Sequence, residues 1–192
     1  MHSGNQSREI TVEYGSAIGQ AIDFVLEAFG EDRVRLGPVP VPMYSHSLSV
    51  GLALQEYGCP VEIVIAGFLH DTLEDTDATA TMIQRMFNAR VRYLVEECSY
   101  DEKIGDTSAG IDDIHRRVII AAENGDTGPL IVKIVDIANN LKTNANLPVK
   151  YQIPQYNRGI ELLAAGSKYL PGHLMVDDLE ITLEREQRRL GL

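Results

Sequence analysis

The sequence predicts an all-α protein on three observations. Apolar residues recur at helical spacing in most segments of the chain. Strand and helix patterns do not alternate, and neither an internal repeat nor a low-complexity tract is present. The chain has 192 residues, a length that suits one domain with a substantial core. We therefore expect a single helical domain over residues 1–192.

The N-terminal part is expected to contain a tail, a helix and a loop. Residues 1–14 are largely polar and lack a clear period, so they are expected to form a loose tail. Ser16 can cap a helix whose apolar stripe continues to Phe29, and Gly30 ends that helix. A glycine and three prolines predict an irregular loop over residues 31–42.

Two helices lead to the middle of the chain. The first runs from about Tyr44 to Tyr57, where Gly58 ends it. Pro60 opens the second helix, because proline is tolerated in the first turn. The apolar run that follows has helical length and spacing over residues 61–73, and it ends in a cluster of ionisable residues.

The rest of the chain is also predicted to be helical. A loop is expected over residues 99–110, which are mostly polar and show no clear period. A peripheral C-terminal helix is expected within residues 171–192, from about Leu174 to Arg189, because this segment is amphipathic and charged. The remaining helices are predicted at residues 77–87, 88–98, 111–123, 129–141 and 151–169.

Charge and composition exclude several classes of function. The net charge of −11 and the isoelectric point of about 4.8 argue against a nucleic-acid partner and against an anionic membrane surface. No apolar run approaches the roughly 20 residues that span a bilayer, and the N-terminus lacks the apolar segment of a signal peptide. Cys59 and Cys98 form no CxxC pair, which indicates a reducing compartment and predicts a cytoplasmic location.

The cluster that follows the apolar run is the most informative stretch of the sequence. His70, Asp71, Glu74 and Asp75 place four ionisable groups within six residues at the end of a mostly buried helix. Such a concentration is costly unless something compensates it, and a bound cation would do so. The alternative is a polar helix end that faces water.

Two further side chains complete a candidate metal site. His46 and Asp136 lie on separate predicted helices, each on an otherwise apolar face, and they join His70 and Asp71. This mixed nitrogen and oxygen set suits Mn²⁺, Fe²⁺, Co²⁺ or Zn²⁺ and leaves coordination positions open for water and substrate. A metal ion in such a site activates water and polarises a phosphoryl oxygen. The alternative is an internal hydrogen-bond network among buried polar groups.

Two carboxylates next to the candidate ligands predict catalytic roles. Glu74 and Asp75 lie one helical turn beyond His70 and Asp71 if the helix continues. From there they can orient the attacking water, take its proton, or hold a ligating imidazole in one tautomer.

Three segments carry a family resemblance. The pattern His…His-Asp…Asp on helices resembles the HD-domain phosphohydrolase superfamily. Within it, residues 69–76, LHDTLEDT, are similar to the HDxxEDT motif of (p)ppGpp hydrolases, the hydrolase domain of RelA/SpoT enzymes and the stand-alone Mesh1 type. Residues 86–97 resemble the segment FGxxVxxLVxxVT, and residues 131–140 resemble IKLADxxxN. The similarity covers roughly residues 15–170.

The resemblance implies an HD-domain helical bundle that is usually Mn²⁺-dependent. Such an enzyme removes the 3′-pyrophosphate from guanosine tetra- or pentaphosphate, a small-molecule nucleotide. A homo-oligomer is compatible with the sequence. Carried onto this chain, the implied metal ligands are His46, His70, Asp71 and Asp136, the implied catalytic residues are Glu74 and Asp75, and the implied nucleotide contacts are Asn140 and Tyr156. By their charge, Lys133, Arg33 and Arg35 are the candidates to neutralise the phosphates of a substrate.

Departures from the family pattern keep other functions open. Met43 stands where the family has a tyrosine, Ile137 and Asn139 replace an arginine and a histidine, and Gln152 replaces an arginine. These changes affect the residues expected to face substrate, while the candidate metal ligands are intact. The alternatives are an HD-type phosphohydrolase for another nucleotide, such as a nucleoside monophosphate or a dNTP, and a non-catalytic nucleotide-binding sensor.

Overall fold

The computed structural model describes residues 3–35, 40–100 and 107–192. Within these ranges the chain folds into α-helices, a three-residue 3-10 helix (Asn144–Asn146) and one pair of two-residue strands, which confirms the predicted all-α class. The helices are α1 (Ser3–Phe29), α2 (Tyr44–Glu56), α3 (Val61–Leu69), α4 (Thr72–Asp75), α5 (Ala80–Met86), α6 (Ala89–Cys98), α7 (Thr107–Glu123), α8 (Gly128–Lys142), α9 (Val149–Tyr169) and α10 (Leu174–Leu190).

The loose tail expected over residues 1–14 is corrected by the structure. Helix α1 begins at Ser3, so residues 3–14 are helical, whereas residues 1 and 2 lie outside the described part of the chain. The segment contains no proline, and its glutamine, arginine and glutamate residues are compatible with a helix. Polarity alone was therefore a poor guide to the conformation of this segment.

The loop expected over residues 31–42 contains a short antiparallel pair. Strand β1 (Val34–Arg35) pairs with strand β2 (Val41–Pro42). A strand of two residues needs few ladder hydrogen bonds, so proline is tolerated in it. The intervening residues 36–39 lie outside the described ranges.

The single helix predicted over residues 61–73 is divided in two. Helix α3 ends at Leu69 and α4 begins at Thr72. The hydroxyl of Thr72 donates a hydrogen bond to the carbonyl of Leu69 at 2.6 Å, which competes with helix continuation. Asp71 consequently lies at a corner of the backbone, with φ −93° and ψ −5°, and not on a continuous helical face.

Caps mark the starts of α5 and α6: α6 begins after Asn88 as predicted, whereas α5 begins at Ala80, three residues later than the predicted start at residue 77. The side chain of Thr79 accepts a hydrogen bond from the backbone N–H of Met82 at 3.3 Å. Asn88 accepts one in the same way from Val91 at 2.9 Å. Both contacts satisfy backbone donors that the first turn of a helix leaves free.

Helices α3 and α8 form the centre of the bundle. Every residue of α3 from Ile63 to Leu69 is buried, as is every residue of α8 from Gly128 to Ala138. Helix α8 packs against α2, α3, α6, α7, α9 and α10. Polar groups on the inner faces of these helices are therefore held away from bulk water. Among the described helices, none is both long enough and apolar enough to cross a bilayer.

Helix α10, predicted to be peripheral, also supplies part of the core. It packs against α8 and α9, and its Met175 and Leu179 are fully buried. Its opposite face leaves Leu174 and Ile181 exposed. The helix therefore covers one side of α8 and keeps an outer surface.

Two glycines allow α2 and α3 to approach closely. A Cβ atom built on Gly51 would lie 2.3 Å from the ring of Phe68, which is fully buried. A Cβ atom on Gly67 would lie 2.2 Å from Leu54 and 3.4 Å from the Cα atom of Gly51. This close crossing fixes the distance between the helix that carries His46 and the helix that leads to His70.

We expect Gly51→Ala to destabilise the protein. The added methyl must displace the buried ring of Phe68, which should outweigh the helix-propensity gain of about 1 kcal/mol and lower the free energy of unfolding by roughly 1–2 kcal/mol. Gly19→Ala is the matched control, because a Cβ atom there meets nothing within 4 Å and should stabilise α1 slightly. Urea unfolding compares the two variants, and equal stabilisation by both would contradict the close crossing.

Candidate active site

Four side chains predicted as metal ligands converge at one point in the bundle. His46 on α2, His70 at the end of α3 and Asp136 on α8 each offer a ligand atom, and these atoms lie within 4.8 Å of one another. Asp71 joins them, because its Oδ1 lies 3.0 Å from Nε2 of His70 and its Oδ2 lies 3.7 Å from Nε2 of His46. The separate segments are thus brought to a common centre.

A backbone hydrogen bond fixes the tautomer of His70. Nδ1 of His70 lies 2.9 Å from the carbonyl oxygen of Gly67, and this oxygen can only accept, so Nδ1 carries a proton. Nε2 of the neutral ring then carries a lone pair. That atom is buried and has no hydrogen-bond partner among the described residues. It faces Oδ1 of Asp71 at 3.0 Å and Oδ1 of Asp136 at 3.5 Å.

The His46 ring is oriented in a similar way. Its Nδ1 lies 2.8 Å from Oδ1 of Asn139, so Nδ1 donates to the amide oxygen. Its Nε2 lies 2.9 Å from Oδ1 of Asp136, which can only accept, so a proton on Nε2 or a metal ion must lie between the two atoms. Both imidazoles therefore direct Nε2 toward the same carboxylate oxygen.

This arrangement fits a divalent metal ion. Lone pairs on nitrogen and on ionised oxygen repel each other unless a cation lies between them. Burial alone would lower the pKa of His70, but the carboxylates of Asp71 and Asp136 raise it to about 10, so without a metal ion a proton on Nε2 serves as this cation. Burial alone would raise the pKa of Asp71, but His70 lowers it to about 2. Two imidazoles and two ionised carboxylates are suitable transition-metal ligands, and the unpartnered Nε2 of His70 is the atom that such an ion would satisfy.

Polar contacts along α8 hold Asp136 in place. Lys133 Nζ donates to its Oδ2, and Asn140 Nδ2 donates to its Oδ1 at 2.7 Å. Asn140 in turn accepts from Nη2 of Arg35 at 2.7 Å. Burial would raise the pKa of Asp136, but Lys133 and His70 lower it well below its usual range. Lys133 and Asn140 are therefore linked directly to a candidate metal ligand, and Arg35 is linked to it through Asn140.

Glu74 is placed for proton transfer beside the ligands. Its Oε1 accepts a hydrogen bond from the backbone N–H of Tyr100 at 3.0 Å. Burial, followed by the negative charge of Asp71, raises the pKa of Glu74 to about 7. A carboxyl group that titrates near neutral pH can exchange a proton under physiological conditions. Arg117 donates to the carbonyl of Ser99 and so anchors the segment that contacts Glu74.

A cavity of about 170 Å³ opens beside this cluster. It connects the candidate ligands with Glu74 and with polar groups from α7, α8 and α9. His70 lies behind its surface, because the residue is fully buried. The described lining consists of Arg35, His46, Asp71, Glu74, Ile111, Ile114, His115, Lys133, Asp136, Ile137, Asn140, Gln155 and Arg158.

Two predicted site residues lie at the margin of this region. Asp75 is partly exposed and is absent from the described lining of the cavity. Burial and then Asp71 raise the pKa of Asp75, whereas Arg33 and Arg35 act in the opposite direction. The two arginines therefore lie near Asp75. Arg33 is exposed and also absent from the described lining.

Tyr156 is not brought to the cavity. Its residue is 8% exposed and belongs to the hydrophobic core, and the described lining does not include it. Helix α9 instead turns Gln155 and Arg158 toward the cavity. The substrate contact expected of Tyr156 remains a prediction that this geometry does not support.

Several residues at the site were missed in the sequence analysis. Asn139 was noted only as a departure from the family pattern, although it orients His46. His115 shares the inward stripe of α7 with Ile114, and that position was the available signal. Gln155 and Arg158 belong to no recognisable motif, and their orientation depends on how α9 packs.

Comparison with known proteins identifies what this chain resembles. A family model described as an HD domain matches residues 21–158. A guanosine-3′,5′-bis(diphosphate) 3′-pyrophosphohydrolase from Aquifex aeolicus is 35% identical over 131 residues, which are 68% of this chain and 18% of that protein. The corresponding pyrophosphohydrolase MESH1 of Mus musculus is 31% identical over 125 residues, which are 64% of this chain and 66% of the relative. The chain thus spans less than two thirds of the length of each of these relatives.

A solved structure supports the fold. It is described as a metazoan ortholog of SpoT that hydrolyzes ppGpp and plays a role in starvation responses. The TM-score is 0.72 at 20% sequence identity, and the match covers 92% of this chain and 96% of the other. At this level of identity the likeness concerns the fold, which is that of an HD-domain helical bundle.

We expect Glu74→Gln to stabilise the metal-free protein above neutral pH. The folded-state pKa of about 7 exceeds the value of about 4.3 that is usual for glutamate in an unfolded chain. As the pH rises through this window, the unfolded state loses its proton first, so the wild-type protein loses stability and the variant does not. The difference in the free energy of unfolding should be small near pH 4 and reach roughly 1–3 kcal/mol near pH 8.

Urea unfolding in the presence of a chelator measures this difference. Glu161→Gln, at an exposed position of α9, is the control and should show no pH-dependent gain. A gain for Glu74→Gln that is the same at every pH would contradict the raised pKa.

We expect Asn139→Leu to weaken divalent-ion binding by about 10- to 100-fold. The change removes the oxygen that holds the Nδ1–H group of His46, so the ring is free to rotate or to change tautomer. Calorimetric titration with Mn²⁺ measures the affinity. Lys142→Ala on the same helix is the control, because that side chain is exposed and should not affect binding. Wild-type affinity in Asn139→Leu would show that this contact does not prepare the ligand.

Proposed function

Since this chain belongs to the HD domain family, we propose that it is a metal-dependent nucleotide phosphohydrolase that releases pyrophosphate from the 3′ position of guanosine 3′,5′-bis(diphosphate). The bacterial and mouse relatives are named for this activity, which supports the choice of substrate. The observation that carries the proposal is the convergence of two imidazole Nε2 atoms on one carboxylate oxygen of Asp136, next to Glu74, a carboxyl group of raised pKa.

The proposed cofactor is a divalent ion, most simply Mn²⁺, with Fe²⁺, Co²⁺ and Zn²⁺ as alternatives. The residues that would bind it are His46, His70, Asp71 and Asp136, whose mixed nitrogen and oxygen ligand atoms suit these ions. When bound, such an ion lowers the pKa of a water ligand and polarises a phosphoryl oxygen.

The chain itself supplies a base, cations and a shielded cavity. Glu74 in its ionised form takes a proton from the attacking water, whose oxygen bonds to the phosphorus attached to O3′. The bond between that phosphorus and O3′ breaks, O3′ gains a proton, and the products are GDP and pyrophosphate. Arg35 and Lys133 line the cavity and supply positive charge for the phosphates, while Asp75 and Arg33 act from its margin.

One observation favours a second candidate function. Gln152 stands where the related hydrolases have an arginine, and its amide points away from the cavity, donating to the carbonyl of Leu147 at 2.8 Å. A different set of cations around the substrate is compatible with another nucleotide, such as a nucleoside monophosphate or a dNTP. A non-catalytic sensor is the weaker alternative, because it would not need the raised pKa of Glu74.

We propose that the protein acts in the cytoplasm on a small nucleotide, and a homo-oligomeric assembly is compatible with this function. The net charge of −11 opposes binding to nucleic acid or to anionic lipid. A phosphorylated nucleotide is compatible with this charge because arginine and lysine side chains are concentrated around the cavity.

An assay of the Mn²⁺-loaded protein against a panel of nucleotides tests the proposal. We expect release of pyrophosphate from guanosine 3′,5′-bis(diphosphate) and little turnover of dNTPs or nucleoside monophosphates. Asp71→Ala should lose both bound metal and at least about 10³-fold in turnover, because it removes a ligand that faces both imidazoles. Asp177→Ala, at an exposed position on α10, is the control.

Preferential hydrolysis of another nucleotide would replace the proposed substrate with the second candidate. Inactivity of the loaded protein on the whole panel would support the sensor. Full activity of Asp71→Ala without bound metal would contradict the metal-dependent mechanism.

A further inference from the structure

The cavity has a second polar wall that the candidate metal ligands do not supply. His115 comes from α7, and Gln155 and Arg158 come from α9. The ligands lie on α2, at the junction of α3 and α4, and on α8. A substrate that fills the cavity therefore contacts two groups of polar side chains, and the mechanism proposed above uses only one of them.

The guanidinium of Arg158 keeps a hydrogen-bond donor that no described residue uses. Its Nε donates to Oδ1 of Asp112 at 2.9 Å, and its Nη2 donates to Oγ of Ser108 at 2.9 Å and to the carbonyl of Ser108 at 3.4 Å. Its Nη1 has no partner among the residues that the structure describes. The side chain of Arg158 is 16% exposed, whereas that of Asp112 is 64% exposed, so water weakens this ion pair.

His115 is buried without full hydrogen bonding. It is 3% exposed, and its Nδ1 has no partner within the described part of the chain. A buried polar atom of this kind is costly and calls for a functional or ligand-related explanation. Burial, followed by the charge of Lys133, lowers the pKa of His115 to about 4, and Arg158 acts in the same direction. The ring is therefore neutral and can hydrogen-bond a ligand without a charge of its own.

The other cations of the lining are tied to the metal-ligand cluster. Lys133 is bound to Asp136, and Arg35 donates to Asn140, which itself donates to Asp136. Arg158 is the cation of the described lining that belongs to the second polar wall, and its Nη1 has no partner among the described residues. The planar guanidinium, with several N–H donors in fixed positions, matches the geometry of a phosphate group better than the single charge of a lysine ammonium does.

We propose that Arg158 and His115 form an anion subsite that binds a phosphate group of the substrate other than the one attacked at the metal-ligand cluster. For guanosine 3′,5′-bis(diphosphate) this group is the 5′-diphosphate. The assignment rests on the proposed function for the identity of the substrate, but the anion binding itself can be measured separately. It makes Arg158 a residue that selects nucleotides carrying a second phosphate group.

Binding of inorganic pyrophosphate to the full chain, measured by calorimetry in the presence of a chelator, tests the subsite directly. Arg158→Gln should weaken binding by about tenfold or more, and Arg158→Lys should be intermediate because it keeps the charge and loses the planar guanidinium. His115→Leu should weaken binding several-fold. Arg116→Gln is the control, because that side chain is 65% exposed and pairs with Asp113 on the surface.

Asp112→Asn separates binding from a loss of structure. It breaks the same ion pair but leaves the guanidinium in place, so pyrophosphate should bind as tightly as in the wild type or more tightly. No measurable binding to the wild type, unchanged binding in Arg158→Gln, or an equal loss in Asp112→Asn would each overturn the subsite. Unchanged binding in His115→Leu would remove the imidazole from it.

Kinetics distinguish this proposal from the function on which it rests. With guanosine 3′,5′-bis(diphosphate), Arg158→Gln should raise KM about tenfold and leave kcat nearly unchanged. Turnover of this nucleotide with an unchanged KM in the variant would refute the subsite and leave the function standing. If the wild type does not hydrolyse the nucleotide while the pattern of pyrophosphate binding holds, the function fails and the subsite stands.

Discussion

Two imidazole nitrogens that share one carboxylate oxygen are the constraint on which the rest of this structure depends. Nε2 of His46 lies 2.9 Å from Oδ1 of Asp136, and Nε2 of His70 lies 3.5 Å from the same atom. Each ring donates its other N–H group, to Asn139 and to the carbonyl of Gly67, so each turns Nε2 toward the oxygen. In a buried site this geometry needs a positive charge between nitrogen and oxygen, which a proton supplies in the metal-free protein and a divalent ion would supply in the loaded one.

The packing of the helices explains how a small domain tolerates a buried cluster of imidazoles and carboxylates. The centre of the bundle is made of α3 and α8, whose buried apolar side chains surround the polar cluster on most sides. The close approach of α2 and α3 at Gly51 and Gly67 sets the separation of the two imidazole rings, whose centroids lie 5.1 Å apart. Apolar packing therefore maintains a polar arrangement that would not be stable alone.

Sequence reasoning was most successful where the signal is local or chemical. Helical periodicity predicted the all-α class. Residue types that commonly bind metal ions predicted a set of candidate ligands, and the fold brings these residues together. The prediction of a continuous helix over residues 61–73 was wrong. The hydroxyl of Thr72 donates a hydrogen bond to the carbonyl of Leu69, and the helix is interrupted there. Residues 3–14 were expected to be loose because they are mostly polar, yet they are helical.

The sequence is a weaker guide to the direction in which a side chain points. Tyr156 was expected at the nucleotide, but the packing of α9 directs it into the core and turns Arg158 toward the cavity. The role of Asn139 depends on a ring from a helix 93 positions away in the sequence. Helical spacing shows which residues share one face of a helix. Tertiary contacts decide how the helix is rotated about its axis, and therefore which face points to the cavity.

Anomalous diffraction from crystals of the Mn²⁺-loaded protein tests the central claim most directly. The account predicts one peak per chain, about 2.0–2.3 Å from Nε2 of His46, Nε2 of His70 and Oδ1 of Asp136. A loaded crystal without a peak at this point, or with manganese bound only elsewhere, would contradict it.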